Sequence, residues 1–184
     1  EGKNIWLDPE KTSPYEFYQY IINVSDSDIE DYLKRLSLAS VDQLTKVIAD
    51  TKAEPHKRIG QKFLAEELTE LVFGKAALDD ALFITDTLFK GDIGVLNGKQ
   101  IEAAFDRAEG LEISQDLPLV DVLVELKAAT SKREARQLIE GSSISVNGDK
   151  VTSSDYELCK DCAIDQRYTI IRKGKKHYFL IKHV

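Results

Sequence analysis

Residues 131–150, SKREARQLIEGSSISVNGDK, crowd three cations onto a short helix and end on a tight turn. Ser131-x-x-Glu134 is a capping box, in which a serine hydroxyl and a glutamate three residues later satisfy the unpaired amides of a helix start. On that helix Lys132, Arg133 and Arg136 fall within one turn, and 132/136 and 133/136 are surface neighbours. Gly141 closes it. A small-residue turn then leads into Ile144-Ser-Val, and Asn147-Gly148 is the strongest short hairpin signal a sequence offers. A helix joined to a hairpin predicts α+β architecture around this stretch.

Working outward, PLVDVLVEL (118–126) reads as a short apolar helix upstream. RYTIIRKGKKHYFLIKHV (167–184) reads as two strands folded at Lys173-Gly174 downstream. The unit 118–184 is then helix–helix–hairpin–hairpin, with a second cluster, Arg172, Lys173, Lys175 and Lys176, at the tip of its last hairpin. From Thr130 to Val184 there are eleven Lys/Arg against seven Asp/Glu, whereas the preceding residues hold fourteen against twenty-five. Such asymmetry marks a polyanion-binding segment on an acidic body, and the arginine fork grips two phosphate oxygens at once. If the hairpin packs beside the cationic helix, seven cations share one surface. The alternative is two solvated charge runs.

The first part of the chain reads as helices throughout. After an irregular lead-in over 1–12, Ser13, Pro14 and Glu16 start a helix with a capping box and a proline suited to the first position. Ser27-x-x-Glu30 and Ser40-x-x-Gln43 start two more. Pro55 opens a long amphipathic stretch that stops at Gly74, KAALDDALFITDTLFK runs to Gly91, and GKQIEAAFDRA finishes the segment. Residues 13–106 are therefore expected as a bundle of five or six helices. Residues 107–117, RAEGLEISQDL, lose all periodicity and read as a linker between two domains with few contacts.

Several function classes find no support. No apolar run approaches the roughly 20 residues that span a bilayer, and the N-terminus lacks the features of a signal or transit peptide, so the default address is cytoplasmic. The chain has no methionine, even at position 1, which is the expectation for an excised or processed piece. Cys159-x-x-Cys162 has no second pair to complete a zinc site and lies in a loop between strands, so it reads as two incidental thiols. The Gly-Lys pairs at 74–75 and 98–99 lack the frame of a phosphate loop. His56, His177 and His183 lie far apart, and no catalytic residue and no metal site is identified.

Two resemblances connect these features. SKREARQLIEGSSISVNGDKV, within Leu119–Val151, is similar to the RNA-binding fold named after small-subunit ribosomal protein S-four. NIWLDPEKTSPYEFYQYIIN (4–23) resembles the stretch that follows the ATP-site signature loop of bacterial-type tyrosyl-tRNA synthetases. AEPHKRIGQKFLAEELTELVFGKAAL (53–78), LFKGDI (88–93) and RYTIIRKGKKHYFLIK (167–182) are similar to later parts of that family. The resemblance implies a helical anticodon-arm domain at 13–106 and an S-four-like tRNA-binding domain at 118–184. It matches Arg133 and Arg136 to basic residues that meet tRNA, and Arg172, Lys173, Lys175 and Lys176 to a basic C-terminal cluster; Lys132 shares the helix. It also implies that the catalytic domain, with its ATP, Mg and homodimer interface, lies upstream, so this chain alone is no enzyme and its partner is tRNA, with neither DNA nor membrane involved. Two other readings stay open: a protein-interaction or structural module docked through YEFYQY (15–20), and a thiol enzyme using Cys159 and Cys162.

Overall fold

Where the chain carries a serine ahead of an apolar-periodic run, a helix begins almost on cue. The computed structural model describes residues 5–105, 108–174 and 177–184, and the chain divides into two compact units, Glu1–Thr85 and Asp86–Val184. In the first unit α1 (Pro14–Ile22) starts at Ser13, whose Oγ accepts the Glu16 amide at 3.1 Å. Helix α3 (Val41–Ala53) carries both bonds of the Ser40/Gln43 capping box. Helix α2 (Ile29–Leu36) differs from expectation. Ser27 Oγ is taken up by Ser25 and Asp28, so Asp28 precedes the helix without any side-chain cap.

The long helix after Pro55 also begins later than its sequence suggests. Pro55–Lys57 form a 3-10 turn and Arg58 adopts a left-handed φ of 52°, before α4 (Ile59–Phe73) starts. That twist lays the Arg58 guanidinium on the end of α1: Nη2 donates to the carbonyls of Ile22 at 2.6 Å and Val24 at 2.7 Å. Charge-assisted bonds to the orphan carbonyls of a helix end offset the strained backbone. Gly74, at φ 88°, ends α4, and α5 (Lys75–Lys90) follows. Phe17, Tyr18, Ile21, Leu33, Leu64 and Leu78 form the core of this unit, with Phe17 and Phe73 edge to face at 5.3 Å.

The second unit is α+β. Strands β1 (Glu109–Ile113), β3 (Ile144–Val146), β4 (Asp149–Lys150), β6 (Tyr168–Lys173) and β7 (His177–His183) form one sheet in the order β1-β7-β6-β3-β4. Only β1 runs parallel to its neighbour, β7; the other pairs are antiparallel. A separate pair joins β2 (Leu117–Pro118) to β5 (Glu157–Leu158). Side chains alternate across a strand, and here each face has its own cover. Ile171, Phe179 and Ile181 share a core with α7 (Leu119–Glu125) and α8 (Lys132–Glu140). On the opposite face Tyr178 meets Phe105 of α6 (Gly98–Phe105) at 5.5 Å.

Two expectations need correcting. The linker assigned to 107–117 contains β1 and β2, and β1 is a full member of the sheet. Its composition hid it, because Gly110 interrupts the pattern of Glu-Gly-Leu-Glu-Ile. The glycine is there for a steric reason: a Cβ at 110 would stand 2.3 Å from the Leu180 carbonyl oxygen. In addition α6, expected inside the bundle at 13–106, packs in the second unit. The Gly98 amide donates to Asp165 Oδ2 at 2.5 Å, and the Tyr168 hydroxyl donates to Glu102.

The close approach at Gly110 yields a test. Gly110→Ala forces β1 off β7 and is expected to cost roughly 1–3 kcal/mol, the usual range for overpacking. Urea unfolding of the substituted chain measures it, and hydrogen exchange at 111 and 113 reports whether the parallel pairing survives.

Candidate nucleic-acid interface

Helix α8 is amphipathic by construction. Ala135 and Ile139 are fully buried, which turns Lys132, Arg133, Arg136 and Gln137 outward. Ser131 Oγ accepts the Glu134 amide at 3.2 Å, and the Glu134 carboxylate reaches back to Thr130, accepting from its amide at 2.7 Å and its hydroxyl at 2.5 Å. These bonds to Thr130, the side-chain one foremost, hold the Glu134 carboxyl below its usual range, with Lys173 adding a smaller attraction. The α7–α8 turn is thereby fixed, with Lys127 exposed at a left-handed φ of 56°.

The cations do not all share one surface. Arg133 and Arg136 are exposed and make no ion pair among the described residues. Lys132 Nζ sits 2.7 Å from Asp121 Oδ1, an exposed pair that solvent weakens. Lys173 lies on the α7–α8 side of the sheet, where its Nζ donates to the Ala128 carbonyl at 2.6 Å. Arg172, one residue earlier, points to the opposite face with its register partners Ser145 and Tyr178. A Cβ at Gly91 would lie 3.1 Å from its Nη1, and its Nε is buried without a hydrogen-bond partner among the described residues. Lys175 and Lys176 lie outside the described residues. The single surface of seven cations is therefore corrected: Lys127 joins Lys132, Arg133 and Arg136 on the turn and helix, Lys173 braces that turn, and Arg172 is elsewhere. Lys127 went unnoticed because no local pattern singles it out; it is exposed on the turn between α7 and α8.

The hairpin beside α8 forms as its sequence requires. Asn147 and Gly148 have φ of 51° and 100°, the two positive values of a tight hairpin turn. The Asn147 side chain spans two neighbours, with Oδ1 accepting the Ile170 amide at 2.8 Å and Nδ2 donating to the Cys162 carbonyl at 3.3 Å. The cysteines also depart from expectation. A 3-10 turn over Lys160–Cys162 stacks residues three apart, and Cys159 and Cys162, with Cα atoms 5.3 Å apart, are joined as a disulfide rather than standing as two incidental thiols.

No group of three or more His, Cys, Asp or Glu able to hold a metal occurs among the described residues. No helix of those residues is long and apolar enough to cross a membrane.

Residues 100–181 match the family model "Tyrosine--tRNA ligase SYY-like C-terminal domain", and residues 1–90 match "tRNA synthetases class I (W and Y)". The chain is 44% identical over 184 residues to the tyrosine–tRNA ligase of Staphylococcus haemolyticus, covering all of this chain and 44% of that protein. It is 46% identical over 181 residues to the corresponding ligase of Lactobacillus helveticus, covering 98% of this chain and 43% of that one. The chain thus spans less than half the length of these relatives. Among solved structures, the solution structure of a tyrosyl-tRNA synthetase C-terminal domain is 35% identical, covering 50% of this chain and 95% of that one with a TM-score of 0.44.

The brace at Thr130 can be titrated. Above the usual carboxyl value of 4.5 the Glu134–Thr130 bonds are fully formed, and they are lost as pH falls through the lower folded value. The Thr130 amide resonance is expected to shift with a midpoint below 4.5, and Glu134→Gln to abolish that step.

Proposed function

Because the chain belongs to the tyrosyl-tRNA synthetase family, we propose that it is the C-terminal tRNA-positioning part of a tyrosine–tRNA ligase. The observation that carries this reading is α8. Arg133 and Arg136 stand exposed and without ion-pair partners on a helix whose base is fixed by the Thr130–Glu134 bonds. Unpaired guanidinium groups on a rigid helix suit backbone phosphates, which set the register of a bound nucleic acid. The Asn147–Gly148 hairpin follows α8 in the chain, and on this reading it adds the relief that shape recognition of folded RNA requires.

On this reading the chemistry of tyrosine activation belongs to the part of the longer relatives that the chain does not align with, and so do ATP, Mg²⁺ and a homodimer interface. The contribution of these 184 residues is to convert a loose encounter with tRNA into an oriented one, lowering the entropic part of the barrier. The helical first unit takes the anticodon arm, and the setting is cytoplasmic. Arg172 and Lys173 are assigned supporting roles, because one faces away from α8 and the other is spent on Ala128.

Titrating tyrosine tRNA and an unrelated tRNA against the chain across a salt series tests this. With about five phosphate contacts, affinity should fall on the order of 10²-fold between roughly 50 and 200 mM salt. Arg133→Ala/Arg136→Ala should weaken binding and flatten that slope by about two contacts. Absence of binding at low salt would sink the reading, and binding without preference would place discrimination between tRNAs elsewhere in the enzyme.

A further inference from the structure

The segment 159–168 ties together three elements of the second unit. The Lys160 amide donates to Asp116 Oδ1 at 3.4 Å, just ahead of β2. The Cys162 carbonyl accepts from Asn147 Nδ2 at the tip of the β3–β4 hairpin. Asp165 Oδ2 accepts the Gly98 amide at the start of α6, and the Ile164–Tyr168 bridge then feeds the chain into β6. Asp165 and Gln166 are consecutive non-glycine residues with φ of 50° and 54°, a conformation that persists only where its surroundings hold it. The first turn of this strap is held by the Cys162 amide on the Cys159 carbonyl at 3.2 Å, the Ala163 amide on the Lys160 carbonyl at 3.1 Å, and the disulfide that links Cys159 to Cys162.

We propose that Cys159 and Cys162 are a reversible thiol-oxidation site, reacting with low-molecular-weight disulfides, whose bonded form orders the strap and the Asn147–Gly148 hairpin tip. The geometry suits the reaction. Cys162 is exposed and Cys159 half-buried, so one sulfur meets reagents while the other waits three residues away. A groove of about 460 Å³ lined by Asn147, Lys150, Thr152, Tyr156 and Cys162 gives a small peptide thiol room beside that sulfur. In the forward direction the Cys162 thiolate attacks glutathione disulfide, forming a mixed disulfide and expelling one glutathione thiolate. Cys159, losing its proton to solvent, then attacks the Cys162 sulfur and expels the second. Two electrons pass from the cysteine pair to glutathione disulfide, which leaves as two thiols.

The coupling to the hairpin runs through a backbone atom of the site itself. The Cys162 carbonyl belongs to the residue that the bond pins, and Asn147 uses that carbonyl and the Ile170 amide to hold its left-handed turn. Reduction leaves that turn on its backbone bonds alone and so loosens the Cys162 carbonyl, while the two bonds between Asn147 and Ile170 remain. An effect on tRNA affinity rests on the tRNA-binding reading above, since the hairpin tip is part of that surface.

The full chain, equilibrated across a series of reduced and oxidised glutathione, supplies the test. Alkylation with mass analysis counts the free thiols, and amide exchange is followed at Asn147, Ile170 and 163–168. The reduced chain is expected to show two free thiols and the oxidised chain none, with exchange at these amides about tenfold slower in the oxidised chain. Cys159→Ser and Cys162→Ser should show the faster rates under both conditions. Equal exchange in the two states, or a glutathione adduct that persists on Cys162, overturns the proposal. A parallel tRNA titration separates the two readings: affinity that drops on reduction supports the coupling, and no binding in either state refutes the tRNA reading while the exchange rates still decide the site.

Discussion

Successive residues of β6 must point to opposite faces of the sheet, and this period of two organises the whole second unit. Ile171 and Lys173 face α7 and α8, so one fills the core and the other reaches the Ala128 carbonyl to brace the turn between those helices. Tyr168 and Arg172 face the other way, toward the Glu102 and Gly91 side. A cluster that looks continuous in sequence is therefore divided by the pleat. The surface left for a polyanion is narrower than the charge count suggests, but it is better fixed, because one of the divided cations supports it from beneath.

Charge pairing separates α8 from the helices of the first unit. There, cations sit four residues from a carboxylate and use it: Lys34 with Glu30 at 2.7 Å, Arg35 with Asp31 at 2.9 Å, Lys75 with Asp79 at 2.9 Å. Such pairs neutralise a helix face locally. On α8, Arg133 has Gln137 at that spacing, and Arg136 makes no ion pair with Glu140 among the described residues. The distinction lies in the arrangement of charges rather than in their number. An acidic chain can thus keep an uncompensated cationic edge.

Local chemistry was legible in the sequence at most places where one short stretch contains both partners of an interaction, the Ser27 cap and the Cys159–Cys162 bond being the exceptions. The caps at Ser13, Ser40 and Ser131 and the Asn147–Gly148 turn were readable for that reason. Features decided by a distant partner were not. β1 exists because β7 offers it an edge and Gly110 lets the backbones approach. α6 belongs to the second unit because Asp165 and Tyr168, more than sixty residues away, receive it. Arg58 departs from helical backbone where its guanidinium meets the carbonyls of Ile22, at the end of α1, and Val24, just beyond it. The candidate interface was half legible on the same principle: the exposure of Arg133 and Arg136 follows from helix periodicity, whereas the separation of Arg172 from Lys173 needs the packing of both sheet faces.

The same logic ranks the supports of the proposed RNA surface. The α8 side is braced redundantly, by Ser131, by the two Thr130 bonds and by Lys173, and each acts on a turn of only a few residues. The hairpin side has supports of another kind: the Asn147 side chain bonds Ile170 and a carbonyl in the strap, the Asn147 amide donates to the Ile170 carbonyl at 2.8 Å, and β3 is paired with both β4 and β6. The bond to the Cys162 carbonyl, at 3.3 Å, is longer than the two to Ile170 at 2.8 Å, so local opening of the tip is expected there first. On the proposed reading, the cations on α8 would fix where the phosphates of an RNA sit, while the hairpin tip would accommodate its relief.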